Sequence, residues 1–261
     1  MSKSAFNYSI RSALAVHPEN PVTLGAKFLS TLDALSDIES TIFAGWQVLD
    51  LANRSPLPLA TARRCVGAII ESSVTRDDLY QGYDAMAYTD NLLGPRRISL
   101  HIKAGGNGRN YGNVSLRAGD FGFDPDPTIV TYPVFRAALL AINAIWPSLW
   151  ACAHAFRSNH VEVPEVYRDG VTGYRLVRTP MIPSEPTFPD SVFHIPWVAY
   201  LSARLALGVE LPPEILTEHT PDNGLLMIAT KERLEPANPE HLRRARILAE
   251  TLITRTDHSS S

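Results

Sequence analysis

Cysteine is nearly absent: Cys65 and Cys152 are the only two in 261 residues. They lie far apart, each inside an apolar run, which excludes a disulfide framework or a zinc knuckle and predicts two buried, reduced thiols. Uninterrupted apolar runs are also missing. The longest apolar segment, residues 134 to 155, is broken by Arg136, Asn143 and Pro147, short of the roughly eighteen residues a membrane span needs. The first twenty-odd residues hold no apolar core with a small-residue cleavage site, so export by a signal peptide is not expected and a cytoplasmic protein is. Charge of either sign is scarce in excess. With 24 Lys and Arg against 27 Asp and Glu, net −3, there is no global basic field to drive direct nucleic-acid binding.

Catalytic signatures are missing as well. No G-x-S-x-G elbow, no H-E-x-x-H pair and no Gly-Lys-Ser/Thr loop occurs. His101, His154, His160, His194, His219 and His241 stand singly, as surface or packed residues rather than as a metal set. No metal or other cofactor is expected. The glycine-rich stretch AGGNGRNYGN, residues 104 to 113, invites a phosphate cradle, but such a cradle needs a helix to follow. Here Ile98, Leu100, Ile102 and Ala104 alternate with polar residues before it, and Val114, Leu116 and Ala118 alternate after it. Two strands and a tight turn rich in Gly and Asn explain the composition without a ligand.

What is present is enough apolar residue, 45%, to bury a core. Helical spacing of Leu24, Phe28, Leu32 and Leu35 predicts a helix over 23–38. Leu59, Ala62, Val66, Ile69 and Ile70 predict a second over 59–72. Residues 41–51 are strand-like. Pro133 opens a helix that runs to Trp146, and 148–156 suits a buried strand. Five prolines between 180 and 196 exclude a regular helix and predict an extended connection. Residues 197–206 and 224–230 fit core strands, and Asn238-Pro239-Glu240 caps a last helix. The elements mix helices with hairpins without strand–helix–strand alternation, which predicts an α+β fold with mixed or antiparallel sheets and flanking helices. The chain is expected to form a single domain over 1–261. A helix followed by a tryptophan-bearing strand in each half, with Trp46 and Trp150, hints at two similar halves, about 1–130 and 131–261.

Two groups of residues invite a functional reading. The loop GDFGFDPDPTIVTYP carries Asp120, Asp124 and Asp126 around Phe121 and Phe123, joining carboxylates to aromatics with no evident core role. Calcium-hand spacing is absent, so the alternatives are a solvated turn or a contact surface. Glu218, His219, Asp222 and Asn223 could be drawn as a catalytic group, or as a turn before a strand.

The C-terminal third carries a resemblance. Trp197-Val-Ala-Tyr200-Leu-Ser202, Leu211-Pro212, Thr217-Glu218, Asp222-x-Gly224-x-Leu-Met227-Ile-Ala229-Thr230 and Asn238-Pro239-x-His241 resemble the immunity protein 52 family of bacterial polymorphic toxin systems, and GWQVLD at 45–50 is similar to its early tryptophan segment. The resemblance implies a non-enzymatic antitoxin. Its partner would be a cognate toxin, a nuclease of restriction-endonuclease-like type, in a type VI secretion setting. A mildly acidic inhibitor has the charge sign to meet a basic phosphate-binding cleft, and this selects Asp120, Phe121, Phe123, Asp124 and Asp126 as the expected toxin-binding residues. An enzyme with an unusual site around Glu218, His219 and Asp222 is the alternative.

Overall fold

The computed structural model describes residues 6–14, 17–76, 81–89, 94–106, 112–119, 124–157, 160–166, 172–178 and 194–256. The elements are, in order, β1 (Phe6–Leu14), α1 (Pro21–Ile38), β2 (Gln47–Asp50), β3 (Ser55–Pro58), α2 (Leu59–Ala62), α3 (Val66–Ser72), β4 (Val74–Arg76), β5 (Gln81–Tyr88), β6 (Ile98–Ala104) and β7 (Gly112–Ala118). There follow α4 (Tyr132–Ile145), β8 (Ser148–Arg157), β9 (His160–Val166), β10 (Thr172–Arg178), β11 (His194–Leu201), α5 (Ala203–Ala206), β12 (Leu216–His219), β13 (Leu225–Ile228) and α6 (Pro239–Thr256). One large sheet runs β12-β13-β11-β8-β1-β7-β6-β5-β2-β3 with β4 on β5, and β9 pairs β10 separately. Every pairing is antiparallel. The fold is therefore α+β with antiparallel sheets.

β1 sits at the centre of this sheet, between β7 of the first half and β8 of the second. Its Tyr8, Ile10 and Leu14 face the main core with Leu100, Ile102, Val114 and Leu116, under Leu24, Phe28, Leu32 and Leu35 of α1 and Phe135, Leu139 and Ile142 of α4. Both helices start as their sequences dictate. The Asn20 side chain accepts the Thr23 N–H at 2.9 Å ahead of Pro21, and the Thr131 hydroxyl accepts that of Val134 at 3.5 Å ahead of Pro133. A smaller core lies on the opposite sheet face, where Leu248 of α6 meets Cys152, Ala199, Leu201, Leu225 and Met227. β8, β11 and β13 thus bury both faces, which is why their sequences read as continuous apolar runs.

Several expectations are corrected. The helix over 59–72 is two pieces: Arg64 and Cys65 bond back three residues, to Thr61 and Ala62, which tightens the chain and re-aims α3. α3 then docks on α1 where Gly25 leaves room, for a β-carbon there would lie 2.9 Å from Val66 Cγ1. Cys65 stands in that turn and is exposed, whereas Cys152 is buried and its thiol is pushed up to about 12 by burial. Residues 41–46 are not strand. Gly45 adopts φ +64°, which ends the extended run and lets Phe43 and Trp46 stack in the core, their centroids 6.3 Å apart. β11 begins three residues before Trp197, with a register shift at Pro196, and ends at Leu201, so 203–206 is a helical turn. Trp46 and Trp197 are buried, but Trp150 is only half-buried, at the rim of the smaller core.

Candidate functional site

The acidic loop after β7 is visible at its second half. Asp120, Phe121 and Phe123 lie outside the described residues. Asp124 is exposed and accepts the Phe6 N–H at 3.1 Å, fastening the start of β1. Asp126 accepts the Thr128 N–H at 2.8 Å and hydroxyl at 2.7 Å, and pairs with Arg96 at 3.4 Å. Those Thr128 bonds hold its carboxyl below the usual range. Both aspartates therefore organise the loop while keeping a negative rim on it.

The alternative group is brought near the C-terminal edge of the sheet, and each carboxylate there has structural partners. Arg136 of α4 donates through Nε and Nη2 to Glu218 Oε2 at 2.8 and 2.5 Å, the Tyr132 hydroxyl reaches Oε1 at 3.2 Å, and Lys231 stands 3.6 Å away. Burial pushes Glu218 upward, but Arg136, Tyr132 and Lys231 outweigh it and hold the carboxyl low. Asp222 closes the turn Thr220–Gly224: it accepts the Tyr200 hydroxyl at 2.5 Å, the Thr220 hydroxyl, the Gly224 N–H at 3.4 Å and the Asn143 amide at 3.4 Å. Burial again raises and these donors more than offset it, so the Asp222 carboxyl is also held low. Tyr200 moves the other way, pushed up to about 12 by burial and by its bond to Asp222. Asn223 takes φ +61°, and a β-carbon on Gly224 would lie 2.5 Å from the Tyr200 ring, so this Asp-Asn-Gly sequence is explained by the turn it makes. His219 is exposed on the edge strand β12. Anchored carboxyls held low by such donors are poorly matched to proton transfer near neutral pH, and Glu218 and Asp222 serve as braces between α4 and the edge of the sheet. Among the described residues no three His, Cys, Asp or Glu side chains gather as a metal site, and β7, a strand, follows the glycine-rich turn whose tip, residues 107–111, is outside the described residues.

A third feature was not read from the sequence, because β1 and β5 were not recognised as strands. On the sheet face that α6 covers further along, β1, β7, β6 and β5 carry polar side chains. Cross-strand registers place Ser9 beside Arg117 and His154, Arg11 beside Ser115 and Cys152, Lys103 beside Asn113 and Asp84, and His101 beside Ser115 and Met86. His101 Nε2 lies 2.8 Å from Asp84 Oδ1. The Arg117 guanidinium lies over the Phe156 ring and that of Arg97 over Tyr88, each 5.1 Å from the centroid. The alternation of Tyr8, Ile10 and Leu14 with Ser9 and Arg11 was the available signal.

The sequence profile of the family described as Immunity protein 52 matches residues 116–256, from the end of β7 through α6. Among solved structures, a T6SS protein of Pseudomonas aeruginosa is similar at 10% identity with a TM-score of 0.48, over 96% of this chain and 73% of that one. No curated protein matches the chain by sequence.

Proposed function

We propose that this chain, which belongs to the immunity protein 52 family, protects the cell that makes it by binding a cognate toxin, and that this toxin is a nuclease delivered by a type VI secretion system. The observation that carries the reading is the family match over residues 116–256. An immunity protein acts by occupying its toxin, so the chemistry required of it is recognition: a few buried anchors for residence time and a charged rim for encounter. The loop of Asp120, Phe121, Phe123, Asp124 and Asp126 is the proposed rim. Its carboxylates have the sign to steer toward a phosphate-binding cleft, and Asp124 and Asp126 are held in place by Phe6, Thr128 and Arg96. A nuclease must be met where nucleic acid is, so the proposed place of action is the cytoplasm. No helix among the described residues is long and apolar enough to cross a membrane.

The test is a titration of the purified chain against the toxin encoded beside its gene, following nucleic-acid cleavage. Stoichiometric loss of cleavage is expected. A neighbouring toxin that does not bind rejects the antitoxin reading, and one that binds but cleaves no nucleic acid rejects the nuclease reading alone. Reversing Asp120, Asp124 and Asp126 to Lys is expected to slow association at least about tenfold at low salt, less as salt rises. An unchanged rate with stability intact removes the loop from the interface.

A further inference from the structure

We infer that the outer edge of β12 is the site where an extended segment of the toxin adds as a further strand. This rests on the antitoxin reading and adds which part of the chain takes the toxin's backbone. The strand order ends on β12 at one side and on β3 at the other, and bond parity decides what each edge offers. The Thr220 N–H donates to the Gly224 carbonyl at 3.0 Å, and bonded pairs alternate along an antiparallel ladder. Leu216 opposite Ile228 and Glu218 opposite Leu226 share that parity, so they bond inward to β13, and the backbone N–H and C=O groups of Thr217 and His219 point outward. At the other end the Leu59 N–H donates to the Trp46 carbonyl at 3.0 Å, and Leu57 and Ser55 share its inward parity. The outward positions there are Pro56 and Pro58, which have no N–H to give. One edge is sealed and the other is open.

The side chains around β12 suit a protein strand. Leu216, Thr217 and His219 are exposed, and so are Leu207 and Leu211 on the approach to the strand. Among the described residues no strand pairs with the outer side of β12. Apolar area beside outward backbone groups is the combination that strand addition uses, with main-chain bonds for affinity and alternate side chains for selection. A second copy of this chain is the other occupant, and register weighs against it. A two-fold pair that uses all the outward groups sets Thr217 against His219 of the other copy, and Glu218 then stands directly opposite Glu218, about 4.5 Å away at the Cα atoms. Like charges so placed destabilise a sheet. Sliding the copies one way brings His219 against Ile215, whose N–H is already bonded to the Pro212 carbonyl at 3.0 Å, and sliding them the other way brings Thr217 against Pro221. Glu218 thus turns away a copy of its own chain. It leaves the edge open to a toxin segment that sets a neutral or basic residue opposite Glu218 and an apolar one beside Leu216.

The experiment follows amide hydrogen exchange of the full chain, residue by residue, free and bound to the purified toxin. In the free chain the Thr217 and His219 amides are expected to exchange fast and that of Glu218, bonded to β13, slowly. In the complex Thr217 and His219 are expected to slow at least about tenfold. Thr217→Pro removes an outward donor and sets a ring on the edge while keeping every bond to β13. It is expected to weaken toxin binding at least about tenfold with thermal melting unchanged. If that variant melts early, Thr217→Lys takes its place, an edge lysine being a natural guard against pairing, and the same loss is expected. Fast exchange at Thr217 and His219 in a complex that forms, or full affinity in the edge variant, overturns the added strand and leaves the antitoxin reading standing. Protection of both amides in the free chain that grows with its concentration makes a second copy the occupant and also overturns it. Wild type that does not bind the toxin overturns both.

Discussion

The Trp197 indole N–H donates to the Thr230 carbonyl at 2.9 Å, tying β11 to the segment just beyond its neighbour β13. The ring itself is fully buried between Tyr8 of β1 and Phe135 of α4, with centroids 6.1 and 5.4 Å away. Central strand, helix and C-terminal strands thus meet on one side chain. Trp197→Ala is expected to cost about 3–5 kcal/mol in urea unfolding, and Trp197→Phe appreciably less, since it keeps most of the apolar contact. A loss below about 1 kcal/mol for the alanine variant would show that the core does not depend on this ring.

Glu218 sets a pH dependence whose sign follows from its pairing. Its carboxyl is held below the ordinary value of 4.5, the donors from Arg136, Tyr132 and Lys231 exceeding the effect of burial. The stability it adds is therefore fully present above that value and is lost as pH falls through the lower, folded-state value. Because Arg136 is about a third exposed, solvent screening keeps the contribution modest. Glu218→Gln is expected to lower the melting temperature at pH 7 and to flatten its decline in acid, with protection from the toxin retained. Protection lost at unchanged stability would revive an active role for this residue.

Asn7 is buried in β1, and neither atom of its amide finds a hydrogen-bond partner among the described residues. An unpaired buried amide carries a desolvation cost of about 1–3 kcal/mol. Asn7→Leu, close in size, is expected to leave stability unchanged or to raise it. A calorimetric melt that falls by several degrees would mean that the amide is satisfied by ordered water.

Asn238 accepts the N–H groups of Glu240 at 3.0 Å and His241 at 3.4 Å, and His241 in turn accepts the Glu235 N–H at 3.0 Å. These residues belong to the segment that resembles the family, and helix initiation explains them. Asn238→Ala is expected to cost about 1 kcal/mol and to leave toxin affinity alone. A weaker complex at full stability would place the start of α6 in the interface.

Local rules were legible wherever one residue decides a local event. Pro133 and Asn238 open helices, Pro147 follows the end of one, Asp222-Asn223-Gly224 makes a turn, and the alternation through 98–104 and 114–118 makes a hairpin. The misses have a common cause. Residues 59–72 keep a helical stripe, but the break at Arg64 and Cys65 answers to where α1 lies. Phe43 and Trp46 have strand-forming side chains, yet they fill a core corner from a bend. β1 contains Ser9, Arg11 and Ser12, which dilute its apolar alternation although it lies at the middle of the sheet.

The sequence by itself determined the class of fold, the positions of caps and turns, and, through the residues shared with the immunity protein 52 family, the kind of function. Each of these depends on interactions within a few residues or on a run of residue identities. Only the tertiary structure decided that β1 joins the two halves of one sheet, that Glu218 and Asp222 are spent on Arg136, Tyr200 and Thr220, and that Arg11, Lys103 and Arg117 share one face. Those residues are up to about a hundred positions apart in the chain. Their meeting is set by strand register, a property of the paired backbones that no single segment encodes.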